Sequence, residues 1–191
     1  MSKLETNQVD PATGTTLTLG TSGDTITIPS GVTIANSGTA TGFGGDNTPA
    51  FFVHNSSNQS ITDATATKVT LDSEDYDTDN AFASNKFTVP SGEAGKYLFY
   101  FAVDGNTGAD SNYDRAFLYI YKNNSQISEF ANDLRNNPGR RINVNGSLSL
   151  DLSAGDYIEL YIYIDDGSGN PTITGDSGIT TYLGGHKLIG V

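Results

Sequence analysis

Residues 87–103, FTVPSGEAGKYLFYFAV, constrain the fold more than any other stretch of this 191-residue chain. Phe87 and Val89 lead into Pro90, which has no N–H for a ladder and so closes the strand. Ser91, Gly92 and Gly95 supply a turn, and residues 97–103 follow as a run of strand formers without a charge. Tyr97, Phe99, Phe101 and Val103 line one face of that strand, and Leu98, Tyr100 and Ala102 line the other. A half-buried antiparallel strand alternates apolar and polar, so a strand apolar on both sides needs a cover on each. One cover is the second sheet of a β-sandwich. No helical period exists to supply the other, which leaves a second subunit as the partner.

Composition excludes several classes of function. A net charge of −12, with ten Lys and Arg in all, opposes nucleic-acid binding, which needs clustered cations; only Arg140 and Arg141 are adjacent. With no cysteine, disulfides and thiolate metal sites are out, and burial has to hold the fold. No apolar run approaches the roughly 18 residues of a membrane span, and MSKLETNQVD lacks the apolar core of a signal peptide. The expectation is a protein made in a cytoplasm and not inserted in a membrane.

The chain divides into three. Residues 1–15 are polar and aperiodic, as in a lead or attachment segment. Residues 16–47 carry aliphatic pairs, Leu17/Leu19, Ile26/Ile28 and Val32/Ile34, alternating with Thr and punctuated by Gly and Pro. One copy has too little apolar surface to offset backbone ordering at roughly 1 to 2 kcal/mol per residue. Three copies wound about one axis would bury the pairs on each other, so this stretch reads as a trimeric β-rich shaft. Residues 48–191 read as the globular head, with strands expected at 50–53, 68–71, 86–89, 97–103, 116–121, 141–152, 156–164 and 180–189. Turns are expected at 121–125 and 152–156, where Asn, Gly and Asp tolerate positive φ.

Within 156–164, Ile158, Leu160, Ile162 and Ile164 form one row while Tyr157, Glu159, Tyr161 and Tyr163 form the other. A tyrosine row suits an interface better than a dry core, because each hydroxyl needs a partner. Tyr100, Tyr161 and Tyr163 are therefore the expected subunit-contact residues. Tyr119, Tyr121 and Asn123, which offer stacking faces and an amide, are the expected receptor contacts. His54 and His186 have no serine or carboxylate placed to make a nucleophile and read as strand residues. The acidic run from Asp72 to Asp79 has Asn80 and Lys86 where a calcium loop starting at Asp75 needs Gly and Glu, so it reads as a solvated loop.

Several motifs occur in a telling order: AFFV at 50–53, ATKVTLD at 66–72, FTVP at 87–90, GKYLF at 95–99, KN at 122–123, NGSLSL at 145–150, LSAGD at 152–156 and TYLGGHKLI at 181–189. Together they resemble the C1q/tumour necrosis factor-like jelly roll, in its C1q branch. The resemblance implies a ten-stranded all-β sandwich that trimerises about a threefold axis and performs no chemistry. It also allows calcium near the axis, where Asp104, Asp110 and Asp114 or Asp165, Asp166 and Asp176 flank polar loops, without assigning ligands; no other cofactor is expected. A family stalk of the collagen type, with Gly at every third position, is missing. In its place LTLGTSGDTITIPSGVTIANSGTATGFG resembles stalk segments of tail-fibre and related virion proteins of marine bacteriophages. The implied protein is a homotrimeric virion fibre, of tail or capsid, attached to other virion proteins by its N-terminal segment and binding a host surface glycan or protein. A secreted C1q-like lectin and a fibre-borne glycan depolymerase are the alternatives.

Overall fold

The computed structural model describes residues 9, 11, 13–35, 37, 47–106, 112–167, 171–175 and 178–189. The chain separates into two compact units, Met1–Thr41 and Gly42–Val191. The second is an all-β sandwich. Its strands are Ala50–His54 (β1), Gln59–Ser60 (β2), Thr67–Lys68 (β3), Ser73–Asp77 (β4), Phe82–Ala83 (β5), Lys86–Thr88 (β6) and Gly95–Asn106 (β7). They continue with Tyr113–Lys122 (β8), Ser125–Asp133 (β9), Arg141–Leu152 (β10), Tyr157–Asp166 (β11), Thr172–Ile173 (β12) and Tyr182–Lys187 (β13). The expected ten strands are thus nine strands of three or more residues and four of two residues among those described.

Sheet one is built on β7. Strand β10 pairs along its whole length on one edge, from Leu152 opposite Gly95 to Arg141 opposite Asn106. On the other edge lie β13, with Lys187 opposite Tyr97, and beyond it β12 opposite Gly105. Strands β1 and β4 extend the sheet past β13, and β2 pairs β12. Sheet two centres on β11, with β8 then β9 on one edge and β6, itself paired to β5, and β3 on the other. Every described pairing is antiparallel.

The core is the row that alternation assigns to it. Tyr97, Phe99, Phe101 and Val103 of β7 are buried against Ile158, Leu160, Ile162 and Ile164 of β11 and Ala116, Leu118 and Ile120 of β8. At one end four rings close the sandwich: Phe87 stacks on Phe51 at 4.7 Å and meets Tyr97 at 5.5 Å and Phe99 at 5.7 Å. Pro90 follows β6 as expected, and Val89 N–H donates to Asp156 O at 2.8 Å, tying the end of that strand to the start of β11.

One expectation is corrected. The acidic run is not a loop: Ser73–Asp77 is the edge strand β4, bulged against β1. An edge strand keeps one side in water, so its carboxylates stay hydrated while Tyr76 turns onto the sheet. The shaft expected at 16–47 takes three copies; in one copy the described residues of the N-terminal unit form no strand. Bends and turns there interrupt segments without regular structure, and Leu17, Leu19, Ile26, Ile28, Val32 and Ile34 are all exposed, Leu19 to 63%. One copy has no neighbour to complete a ladder or cover an aliphatic pair. Its corner is nonetheless specified: Asp24 Oδ2 accepts bonds from Thr21 N at 2.7 Å and Thr21 Oγ1 at 3.1 Å, which hold its carboxyl below the usual range. Most of the lead at 1–15 and the Gly-rich boundary at 42–46 lie outside the described residues.

Candidate functional site

The sandwich presents two aromatic faces, back to back. On the outer face of sheet one, Phe52 of β1 is surrounded by Tyr182 at 5.4 Å, Tyr100 at 6.1 Å and Tyr76 at 6.3 Å between ring centroids. The hydroxyls of Tyr76 and Tyr100 share a hydrogen bond of 3.2 Å, and burial, followed by this bond, pushes the Tyr100 hydroxyl upward. Strand β13 makes room for the cluster: a Cβ on Gly184 would lie 2.4 Å from the Tyr100 ring. Leu98 and Ala102 flank Tyr100 on the same face of β7, and His54 and His186 sit on the matching positions of β1 and β13. None of the six residues Phe52, Tyr76, Leu98, Tyr100, Ala102 and Tyr182 carries a formal charge.

On the outer face of sheet two, β11 and β8 present a longer strip. Tyr121 and Tyr161 rings lie 4.4 Å apart, Phe117 and Tyr163 5.5 Å, and Phe117 and Tyr119 6.3 Å. Tyr157 continues the row under the Lys86 ammonium, 4.6 Å from its ring centre. Ion pairs fringe the strip: Arg115 with Asp165 at 2.9 Å, Lys68 with Glu159 at 2.7 Å and Lys122 with Asp156 at 2.8 Å. Burial raises the Tyr119 and Tyr161 hydroxyls, so both stay protonated donors.

The structure therefore separates the three tyrosines expected at a subunit contact. Tyr100 lies on sheet one, whereas Tyr161 and Tyr163 stand beside Tyr119 and Tyr121 on sheet two. Asn123 is near that strip, but its amide is committed to the fold: Nδ2 donates to Asp156 Oδ1 at 2.7 Å, and Oδ1 accepts from Tyr157 N at 2.9 Å. Asn123 and Asn124 hold the positive φ expected of this hairpin turn. Sequence reading passed over Phe52, Tyr76, Phe117 and Tyr182. The available signal was alternation: Phe52 lies between the core residues Phe51 and Val53, and so had to face outward.

Asp156 laces the turns at 121–125 and 152–156 together, since it also accepts from Ser153 N at 2.9 Å. The bond from Lys122, then Asn123, then Ser153 N–H lower its carboxyl from 3.8 to about 2. A carboxyl depressed in the folded state stabilises the fold fully above its unfolded value and loses that contribution as pH falls through its folded value. The melting temperature followed by circular dichroism should therefore drop between about pH 4 and about pH 2. Asp156→Asn should melt lower at pH 7 and fall less across that window. It will keep part of the drop, because Asp133, held at about 2 by Arg135, titrates there too. An Asp156→Asn profile parallel to the parent's contradicts this account.

The carboxylates flagged for calcium do not assemble into a site among the described residues. Asp104 Oδ1 accepts from Arg141 Nε at 2.7 Å, and Asp165 Oδ2 from Arg115 Nε at 2.9 Å, so a guanidinium already holds each. No three His, Cys, Asp or Glu stand together as ligands among the described residues. Asp110 and Asp176 lie outside them.

No family model and no curated protein matches this sequence. Solved structures do. The globular domain of zebrafish complement 1qA protein is 18% identical with a TM-score of 0.50, covering 73% of this chain and 97% of that one. Eiger TNF from S. frugiperda is 14% identical with a TM-score of 0.54, covering 73% and 91%. Murine APRIL is 15% identical with a TM-score of 0.54, covering 73% and 98%. At these identities the likeness establishes the fold: the chain is an all-β jelly-roll sandwich of the C1q/tumour necrosis factor type.

Proposed function

We propose that this chain is a non-enzymatic, homotrimeric fibre or spike component of a bacteriophage virion, whose jelly-roll head binds a receptor on the host surface. One observation carries the reading: the uncharged cluster of Phe52, Tyr76, Tyr100 and Tyr182 on sheet one has no covering layer among the described residues of the second unit. A contiguous aromatic patch on a sheet that is already packed on its other side is an interaction surface. Copies of the chain are the occupant that also accounts for the N-terminal unit, whose exposed aliphatic pairs need identical neighbours at a fixed register. Sheet two is the worse subunit contact, because closing it would desolvate three ion pairs. It is left facing outward, where receptors are met.

The phage assignment is supported by the resemblance of LTLGTSGDTITIPSGVTIANSGTATGFG to virion stalks. Immunogold electron microscopy with antibodies raised against the purified chain tests it, using virions from a lysate in which the gene is expressed. Gold on fibres or spikes is expected. Unlabelled virions, with the chain recovered only in the virion-free fraction, would overturn the assignment.

A further inference from the structure

We propose that the outer face of sheet two is a stacking platform for a neutral saccharide chain, an inference that rests on the receptor-binding reading of the head and specifies its ligand. The platform is the strip of Tyr157, Tyr161 and Tyr163 on β11 with Phe117, Tyr119 and Tyr121 on β8. From Tyr157 to Tyr163 it runs about 20 Å along the strand, long enough for several sugar rings in line. Sugar rings present apolar C–H faces edged by hydroxyls, and half-buried tyrosines match both parts: a flat ring to stack on and a phenol to bond with. The hydroxyls of Tyr119, Tyr121 and Tyr161 have no protein partner among the described residues, whereas Tyr163 accepts from Arg115 Nη2 at 3.3 Å.

Charge selects the ligand. Arg115, Lys68 and Lys122, the cations that fringe the strip, are matched by Asp165, Glu159 and Asp156 at 2.9, 2.7 and 2.8 Å. The fourth cation, Lys86, is held over the Tyr157 ring. An acidic glycan would meet cations already neutralised, on a chain of net charge −12. A neutral chain meets no such penalty. Glu159 adds a specific handle. It is 6% exposed, opposite Tyr121 and between Tyr157 and Tyr161 along β11; Oε1 accepts from Lys68, and Oε2 has no donor. A buried acceptor without a donor is costly, and parting of the Tyr121 and Tyr161 rings above it would let a sugar hydroxyl supply one. No pocket opens among the described residues, so the surface suits an extended chain laid across it rather than an enclosed small molecule. A second copy of the protein fits sheet one better, for the desolvation reason given above.

The test uses the full chain over immobilised dextran, mannan and laminarin, which are neutral, and alginate, which is anionic, read by surface plasmon resonance. In parallel, the labelled chain is applied to a panel of intact bacteria. The parent should bind at least one neutral polysaccharide more tightly than alginate. Tyr121→Leu with Tyr161→Leu should weaken that binding by about tenfold or more, corresponding to about 1.4 kcal/mol. Tyr121→Phe with Tyr161→Phe, which keeps the rings, should retain most of it; melting curves verify that both variants are folded. Preference for alginate, binding to none of the neutral chains, or a double Leu variant that is folded and binds like the parent would each overturn the platform. If cells are still bound in those cases, the receptor reading stands with a different ligand, such as a protein. If no cells are bound, the receptor reading fails as well.

Discussion

Phe87→Ala is expected to lower the unfolding free energy by about 3–5 kcal/mol at fixed chain concentration, read as a fall in the urea midpoint. Phe87 is fully buried and touches three other rings, Phe51, Tyr97 and Phe99, all held in paired strands. Those rings come from β1 and β7 of sheet one, whereas Phe87 belongs to β6 of sheet two. Removing it opens a void between the layers that neither sheet can close without giving up its own pairing. Phe87→Leu, which fills much of the volume, should cost about 1 kcal/mol. Ile127→Ala, on the exposed side of β9 at 41% exposure, should stay within about 0.5 kcal/mol. Similar losses at Phe87 and Ile127 would contradict the layered core.

Tyr100→Asp is expected to dissociate the assembly while leaving the head folded. In a single chain Tyr100 is half-buried, and a carboxylate there can reach water. Under a second copy it cannot, and desolvating an unpaired ion costs several kcal/mol. In a threefold ring the same substitution enters every contact at once. Sedimentation should show the mass falling toward one chain, with the far-ultraviolet circular dichroism of the parent retained. Tyr161→Asp, on the opposite face, should leave the mass unchanged. If Tyr161→Asp dissociates the assembly and Tyr100→Asp does not, the copies meet on sheet two.

The core was legible from alternation alone. In β7 and β11 the strands are long and every second residue is large and apolar, so the inward rows could be named from the sequence. What alternation could not supply was the third dimension. Tyr100 and Tyr161 each occupy the outward row of a central strand, and nothing in a row says which sheet it belongs to. They were grouped as one surface, and the fold puts them on opposite sides. Strand β9, SQISEFAND, was missed because an edge strand buries little, leaving a polar string held mainly by its pairing with β8. Strand β4 was missed for the same reason, its charges hiding the turn of Tyr76 onto Phe52. Asn123 shows the converse: its place in a turn was legible, but not that Asp156 and the Tyr157 N–H occupy its amide.

The N-terminal unit carries the same logic to its limit. Its period-two aliphatic pairs are a strand signal, yet the described residues form no strand, because ladder partners for such short segments are absent from one copy. The Thr21–Asp24 corner is set within the chain, so what three copies would add is pairing and burial rather than turn geometry.

Assembly is the claim on which the aromatic face, the shaft and the outward platform all depend. Light scattering of the purified full chain after size-exclusion chromatography, at micromolar concentration, measures it directly. The account predicts a single species of three times the 20.2 kDa chain mass; a species of one chain mass across that range would contradict it.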